Sequence, residues 1–265
     1  QGLYYESSLT TPFNFINESE TSRDPSARIP GLRYHPMDFA RATPHLALYD
    51  VTYYVSFTEE AERSAREFGL EAVADAPPWT VFALPPSQSV DVAVLEPSVW
   101  DGASNFSDAA LEWYDDVDNL DHWLVAAGPD SWARVGAVAE RLDGSPAAYD
   151  VDPDAVTNIL IDDDRISFDT TAIGVPHLVK VSHFPNWSAE GADGPFRAAP
   201  SLMVVVPTEG SVVLHFGRTW SETVGLALTV LAIGAVAAWG YQRRRARTAD
   251  GERQQAPLVD KSPSG

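Results

Sequence analysis

The sequence contains no cysteine, which excludes disulfide bonds and thiolate metal sites. Lysine is nearly absent as well: only Lys180 and Lys261 occur among 18 basic residues, against 38 acidic ones. The formal net charge is −20, and no basic cluster lies outside the C-terminal tail, which argues against nucleic acid as a partner. Eight tryptophans indicate that packing of large apolar side chains holds the fold together.

The common motifs of enzyme active sites are also missing. The sequence has no G-x-S-x-G nucleophile elbow, no P-loop and no G-x-G-x-x-G dinucleotide motif, and its six histidines lack the spacing of metal ligands. Residues 150–154 alternate acidic side chains as a calcium loop does. However, Ala155 stands at the glycine position and the distal glutamate is missing, which favours an acidic linker. The sequence therefore nominates no catalytic residue, no cofactor and no metal site.

One long apolar run is present near the C-terminus. Residues 224–241 carry no charge, and at a rise of about 1.5 Å per residue they match the thickness of a bilayer core. Trp220 precedes the run and Trp239 and Tyr241 close it, as is typical of aromatic rings at the two headgroup levels. The pattern predicts one transmembrane helix over residues 222–241, in contact with the lipid bilayer.

The charges on either side of this run predict its direction. Arg243, Arg244 and Arg245 follow at once, and residues 242–265 carry six basic and three acidic side chains. The residues before them carry 12 basic and 35 acidic side chains. Because positive flanks stay on the cytoplasmic side, we expect a protein of the cell membrane with an extracytoplasmic N-terminal bulk. The tail, polar and without periodicity, is expected to be disordered and cytoplasmic.

The N-terminal part predicts a small α/β unit over residues 1–100. Residues 1–45 are rich in Ser, Thr, Pro and aromatic residues and are expected to be irregular. A buried strand is predicted over 46–57, followed by a helix that Thr58 caps and Gly69 ends. Two more strands are predicted after that helix, at 70–74 and 79–84.

The remaining ectodomain is predicted as two further parts. Residues 101–150 form a helical acidic connector, whose helix is capped by Ser107, reaches Leu124 and is interrupted by aspartates. Residues 151–221 form an antiparallel, β-sandwich-like domain, because their apolar residues alternate with a period of two. Its predicted strands cover 166–170, 178–184, 202–206 and 212–216. The predicted fold class is therefore α+β, followed by one C-terminal transmembrane helix.

A set of motifs in residues 179–218 carries a family resemblance. A strand ends in Ser-x-Phe-Pro-x-Trp, a turn of small residues and an apolar strand ending in Pro-Thr follow, and a last strand runs into the final apolar helix. The stretch resembles the C-terminal extracytoplasmic domain of YfhO-type bacterial multi-pass membrane proteins and their 6-pyruvoyl-tetrahydropterin-synthase-related relatives. Residues 4–8 and 45–54 are similar too, although Tyr49-Asp50 stands where Leu-Gly is usual. The matching positions are Ser182, Phe184, Pro185, Trp187, Gly191, Gly194, Pro195, Pro200, Met203, Pro207, Thr208 and Phe216.

The resemblance implies a membrane glycosyltransferase of the C-type fold, which uses lipid-linked sugar donors. In such proteins the catalytic acidic residues lie between N-terminal membrane helices, so none can be assigned to this sequence. The chain begins with Gln1 rather than methionine. It is expected to be the C-terminal extracytoplasmic region and last span of a longer polytopic protein, whose N-terminal multi-span part is its partner.

Two groups of residues are candidates for function. Trp79 and Trp187 are candidates for stacking on a glycan acceptor or a lipid-linked sugar, with a role in the core as the alternative. The membrane-interface candidates are Trp220, Trp239, Tyr241, Arg243, Arg244 and Arg245. A single-span surface protein with a non-catalytic binding ectodomain is the alternative function, and the reading frame upstream of Gln1 distinguishes the two. A soluble hydrolase is disfavoured, because no nucleophile or paired acid is evident.

Overall fold

The computed structural model describes residues 9–142, 146–152 and 154–254, with the backbone alone at 142 and 242–254. Two units are distinguished: the chain up to Gly217, and the chain from Arg218 onward. The described residues form five α-helices: α1 (Thr11–Thr21), α2 (Phe39–Ala47), α3 (Glu59–Phe68), α4 (Phe106–Tyr114) and α5 (Trp220–Gln254).

Fourteen strands occur among the described residues, and all of them belong to the first unit. They are β1 (Tyr53–Ser56), β2 (Glu71–Ala76), β3 (Trp79–Ala83), β4 (Val90–Val92), β5 (Ser98–Trp100), β6 (Leu124–Val125), β7 (Arg134–Val135), β8 (Val156–Ile161), β9 (Arg165–Thr170), β10 (His177–Val179), β11 (Trp187–Glu190), β12 (Ala192–Ala198), β13 (Leu202–Pro207) and β14 (Ser211–Phe216). The mixture of helices and largely antiparallel sheets confirms the predicted α+β class.

The strands make three sheets. A three-stranded sheet has the order β1-β3-β2, a seven-stranded sheet the order β4-β10-β13-β12-β6-β5-β7, and a four-stranded sheet the order β11-β14-β9-β8. Pairing is antiparallel except that β5 runs parallel to both β6 and β7. The seven-stranded sheet thus draws strands from the predicted α/β unit, the predicted connector and the predicted β domain. The compact unit up to Gly217 includes all three.

The strands β10 and β13 of the seven-stranded sheet are buried on both faces, and the alternation of their side chains explains why. In β10, Leu178 faces one core together with Trp113 of α4, whereas Val179 faces a second core with Phe168 of the four-stranded sheet. Period-two alternation sends successive side chains to opposite faces. The four-stranded sheet and the central sheet therefore pack face to face, and helices cover the other face of the central sheet. A third, smaller core joins the three-stranded sheet to α2 and α3 through Phe82, Phe39 and Ala65.

Helix α3 matches its prediction because its signals are local. The Thr58 side chain accepts a hydrogen bond from the Ala61 amide, three acidic residues occupy the first turn, and Gly69 ends the helix with φ +100°. Glycine adopts a positive φ more readily than other residues because it has no Cβ that would clash with the backbone. The strands predicted after this helix are also present, as β2 and β3.

Two N-terminal predictions are wrong. Residues 1–45 are not irregular throughout, since they contain α1 and most of α2; the motif at residues 4–8 lies outside the described residues. The strand predicted over 46–57 is confined to β1, because α2 continues to Ala47 and Asp50 then adopts φ +53°. The Asp50 carboxylate is held there by the hydroxyls of Ser87 and Ser89, which are distant in sequence.

Two further boundaries also differ from prediction. The helix predicted to start at Ser107 and reach Leu124 is capped by Asn105 and ends at Tyr114; a short 3-10 turn follows, and Leu124 lies in β6. The strand predicted over 178–184 is β10, which ends at Val179. The interruption of the helix by aspartates is confirmed, since Asp115 and Asp116 follow α4 directly.

Nearly all described residues of the second unit belong to α5. Its segment Trp220–Tyr241 has a mean hydropathy of 1.9 and is long and apolar enough to cross a membrane. The helix continues to Gln254, so residues 242–254 are helical where the sequence was expected to be disordered. Arginine, alanine and glutamine are good helix formers, which explains the extension. The last part of the predicted tail, residues 255–265, lies outside the described residues.

Candidate functional site

The two tryptophans predicted to stack on a sugar have different environments. Trp79 begins β3, is 48% exposed and has a contact with Phe57 at a ring-centroid distance of 5.4 Å. Trp187 begins β11, is only 8% exposed and belongs to the core between the two packed sheets. Its ring meets Phe216 edge-on, with centroids 5.2 Å apart. Trp79 is thus open to a ligand, whereas Trp187 is part of the core.

The predicted membrane-interface residues lie in α5. Trp220 is the first residue of the helix, and Trp239 and Tyr241 close the apolar segment. All three side chains are exposed, as rings at a headgroup boundary would be. Arg243, Arg244 and Arg245 belong to the helical backbone that continues beyond Tyr241, and their side chains lie outside the description.

One face of the three-stranded sheet carries several exposed apolar side chains. Tyr53 and Val55 of β1 and the following Phe57 are 57%, 50% and 64% exposed. Val55 pairs with Val81 of the central strand, and Val81 pairs in turn with Ala74 of β2. We call the surface made by Tyr53, Val55, Phe57, Ala74, Trp79 and Val81 the aromatic face.

The opposite side of the same sheet shows why the aromatic face exists. Along β1 and β3 the intervening residues turn inward, so that Phe82 is fully buried and Ser56 and Thr80 are nearly so. Tyr54 donates its hydroxyl to the Thr21 carbonyl oxygen and meets the Phe39 ring at 5.0 Å. Since one side of each strand packs on the helices, the other side is fixed as a flat outer surface. Exposed apolar patches on a folded unit commonly mark interaction surfaces.

Acidic side chains lie on the edge strand β2 of the same sheet and on the neighbouring helix α3. Glu59, Glu60 and Glu62 lie in the first turn of α3, and Glu71 and Asp75 lie on β2. Such flanking charges keep a sheet edge from pairing with other chains in solution. The face is therefore available for a specific partner on a unit that is otherwise strongly acidic.

A fully buried, hydrogen-bonded Glu–His pair joins the three helices that cover the central sheet. Glu20 of α1 and His45 of α2 are both 0% exposed, and Glu20 Oε2 lies 2.7 Å from His45 Nδ1. The other ring nitrogen, Nε2, lies 2.7 Å from the carbonyl oxygen of Tyr114 at the end of α4. Arg41 adds a bond to the second Glu20 oxygen at 3.3 Å. The sequence analysis did not identify this pair, because its partners are separated along the chain.

The same network continues outward to Asp115. Burial alone would raise the pKa of the Asp115 carboxyl, but hydrogen bonds from His35 and Arg33 and the charge of Arg41 lower it below its ordinary value. His35 Nε2 lies 2.6 Å from Asp115 Oδ1, and Arg33 Nη1 lies 2.9 Å from Asp115 Oδ2. These contacts fix the end of α4 to the loop before α2, which is a structural role.

Two buried hydroxyl–imidazole pairs have the residue types of a nucleophile and its general base. Ser98 Oγ lies 3.2 Å from His122 Nε2, and Thr170 Oγ1 lies 2.8 Å from His177 Nε2. Burial lowers the pKa of both histidines, so both rings are neutral near pH 7. Neither hydroxyl is exposed to a substrate, since Ser98 is 1% and Thr170 is 5% exposed. Both pairs are therefore assigned to the core.

No group of three or more potential ligands is arranged to hold a metal ion within the described part of the chain. In the acidic stretch at 150–154, the Asp152 carboxylate accepts a hydrogen bond from the Asp154 amide at 2.9 Å, as in a turn.

Comparisons with models of protein families, with curated proteins and with solved structures find no match for this chain. The resemblance to YfhO-type proteins remains a prediction from the motifs alone.

Proposed function

We propose that this chain is the extracytoplasmic region and last membrane span of a polytopic, glycosyltransferase-like membrane protein. In this proposal the first unit covers the outer side of the membrane-embedded part of the same polypeptide. The observation that carries the proposal is the aromatic face, an exposed apolar surface on a unit whose chain continues into an apolar helix.

The direction of the span rests on the charges that flank it. Three arginines follow the apolar segment directly, and the acidic unit precedes it. Basic flanks are retained on the cytoplasmic side, which supports an extracytoplasmic position of the first unit. The resemblance of residues 179–218 to YfhO-type proteins supports the same arrangement.

The aromatic face supports a covering role better than a catalytic one. Apolar area of this kind is stabilised by contact with another apolar surface, at about 25 cal/mol per Å² removed from water. Trp79 lies within the face, so a sugar ring stacked there would touch the partner surface as well. We propose that Trp79 is the residue of this unit that seats a glycan acceptor, whereas Trp187 stabilises the core.

Because these 265 residues contain no cysteine, a substituted cysteine is the single one in this region, and the unsubstituted complete protein gives the background labelling. The substitution Val55→Cys introduces a cysteine into the aromatic face. The matched control is Leu160→Cys, which introduces a cysteine at an exposed position of β8. With the complete gene expressed in its host, a membrane-impermeant maleimide should label Leu160→Cys quickly and Val55→Cys slowly. After denaturation in detergent both should label equally. Equal rates in the native membrane would exclude the covering role.

The orientation is tested with the same reagents. Leu160→Cys should be labelled in intact cells, whereas Ser262→Cys in the tail should be labelled only after the membrane is permeabilised. The opposite pattern would reverse the proposed topology. The alternative function, a single-span surface protein with a binding ectodomain, predicts a reading frame with a leader peptide shortly upstream of Gln1 and no further spans.

A further inference from the structure

A cavity of about 470 Å³ lies in the first unit, between the C-terminal end of α2 and strand β4. Its wall is largely apolar and includes Leu48, Val92, Val94 and Trp123. Pockets that bind small organic molecules commonly measure ~300–1,000 Å³ and combine apolar walls with a few polar groups. The cavity therefore has the size and the lining of a ligand site.

The charged groups of the lining have an excess of negative charge. Asp91, Asp121 and Asp152 contribute three carboxylates, and Lys180 contributes one ammonium group. The Lys180 side chain is 2% exposed, and its Nζ lies 2.8 Å from Asp91 Oδ2. Burial raises the pKa of Asp91, and the charge of Lys180 opposes that shift. Since Lys180 is already matched by Asp91, two carboxylates remain unneutralised by the lining itself.

A rigid segment next to the cavity fixes this charge arrangement. Asp50 accepts hydrogen bonds from the hydroxyls of Ser87 and Ser89, at 2.6 and 2.5 Å. The Ser89 carbonyl oxygen accepts the Lys180 amide at 2.9 Å. The Asp50 charge also acts on Asp91, which adds to the negative potential at this end of the cavity. The strand that carries Asp91 and the strand end that carries Lys180 are thus held in place without a ligand.

We propose that this cavity binds a small amphipathic cation, with an apolar body against Trp123 and the valines and an ammonium head facing Asp121 and Asp152. An anionic ligand would meet the excess carboxylates, and the ammonium of Lys180 is already paired. A neutral apolar ligand would make no ion pair with Asp121 and Asp152, which are both exposed at the cavity. An ammonium head satisfies them, and cations also interact well with aromatic rings. The site is independent of the aromatic face and of the proposed covering role.

The test uses three probes of similar size that differ in charge: 2-phenylethylamine, 2-phenylethanol and 3-phenylpropionate. Each is titrated calorimetrically into the full chain in nanodiscs of zwitterionic lipid, with empty nanodiscs as the blank. We expect the amine to bind about three- to tenfold more tightly than the alcohol, since two ion pairs with exposed carboxylates together contribute about 0.7–1.4 kcal/mol. The carboxylate probe is expected to bind most weakly.

Two variants locate the binding. The double substitution Asp121→Asn with Asp152→Asn should reduce the affinity for the amine by about three- to tenfold and leave the affinity for the alcohol unchanged. The matched control, Asp163→Asn with Asp164→Asn, makes the same change of charge in the exposed turn between β8 and β9 and should have no effect. Val94→Trp should abolish binding of all three probes, because Val94 is exposed at the cavity and a larger side chain there fills it.

Three results would overturn the inference. Equal affinities for amine and alcohol would show that the carboxylates do not select the ligand. Tightest binding of 3-phenylpropionate would identify Lys180 as the anchor of an anionic ligand. Absence of binding by every probe, with an unchanged thermal unfolding curve, would show that the cavity is not a site for ligands of this size. None of these outcomes affects the cysteine-labelling test of the aromatic face, so the two proposals fail separately.

Discussion

Removing the Glu20 carboxylate should destabilise the first unit strongly, whereas replacing it by an amide should not. Glu20 and His45 are both fully buried, and both ring nitrogens of His45 face oxygen atoms. The Tyr114 carbonyl can only accept, so Nε2 carries a proton, and the Glu20 bond to Nδ1 requires another proton between the two atoms. The pair therefore shares two protons across its two bonds.

The magnitude follows from what each substitution leaves behind. Glu20→Ala leaves a buried imidazole without its partner at Nδ1 and removes an acceptor from Arg41, and breaking a buried pair costs about 3–5 kcal/mol. Glu20→Gln can donate its amide to a neutral Nδ1 and accept from Arg41, so only the charge assistance is lost, about 1 kcal/mol. For a unit of this size, 1 kcal/mol corresponds to ~2–4 °C in Tm, which gives a loss of roughly 6–20 °C for the alanine variant.

The assay is thermal unfolding of the full chain in detergent, followed by tryptophan fluorescence. Trp113 is fully buried and packs near Tyr114, so its emission reports on loss of this core. The expected order of Tm is wild type, then Glu20→Gln, then Glu20→Ala by a wide margin. If the glutamine variant were as unstable as the alanine variant, the carboxylate charge itself would be essential. If Glu20→Ala lowered the free energy of unfolding by less than about 1 kcal/mol, the pair would not stabilise the packing of α1, α2 and α4, and the reasoning would be refuted.

Three other predictions concern the same unit. Because burial lowers the pKa of His177 below 6.5, the unfolded chain binds the proton more readily; stability should be full above pH 6.5 and fall as the pH drops below it. His177→Gln should reduce that loss of Tm in a pH series; an unchanged pH profile would contradict the assignment. Gly191→Ala should destabilise more than its control Gly174→Ala in urea unfolding, since both have positive φ but only at Gly191 would a Cβ meet a backbone carbonyl. Asn105→Ala should lower the free energy of unfolding by about 1 kcal/mol in the same assay, and Ser107→Ala by less, because Asn105 caps α4. The reverse order would show that Ser107 is the cap, as the sequence predicted.

The elements that could be predicted from sequence are those whose signals are local. Helix α3 has its cap, its acidic first turn and its terminal glycine within a dozen residues. The alternation of β9 and β14 and the continuous apolar run of β13 are likewise contained in each strand alone. The apolar segment of α5 needs only its composition. Fold class and the candidate membrane span could therefore be predicted without the structure.

The remaining errors share a cause, which is contact between distant residues. The segment after α2 looks like a continuous strand, but Asp50 turns the chain and is held by serines almost 40 residues later. The two candidate tryptophans look alike in sequence, and only the packing of Trp187 against Phe216 separates it from the exposed Trp79. Likewise, no local pattern indicates that Glu20 and His45 meet, or that Asp121 and Asp152 line the same cavity.

The order of the seven-stranded sheet has a consequence for how the chain is made. Strand β4 pairs with β10, and the parallel group β5, β6 and β7 joins the sheet through β12. The strands that are synthesised first therefore remain unpaired until residues 177–207 have been made. Closing such long loops is slow and costs entropy, and unpaired strand edges attract other chains meanwhile. The apolar helix follows the last strand within a few residues, so the sheet can close only when synthesis has almost reached the apolar segment. A chain cut near residue 150 would thus be left with β4 to β7 and no central strands to receive them.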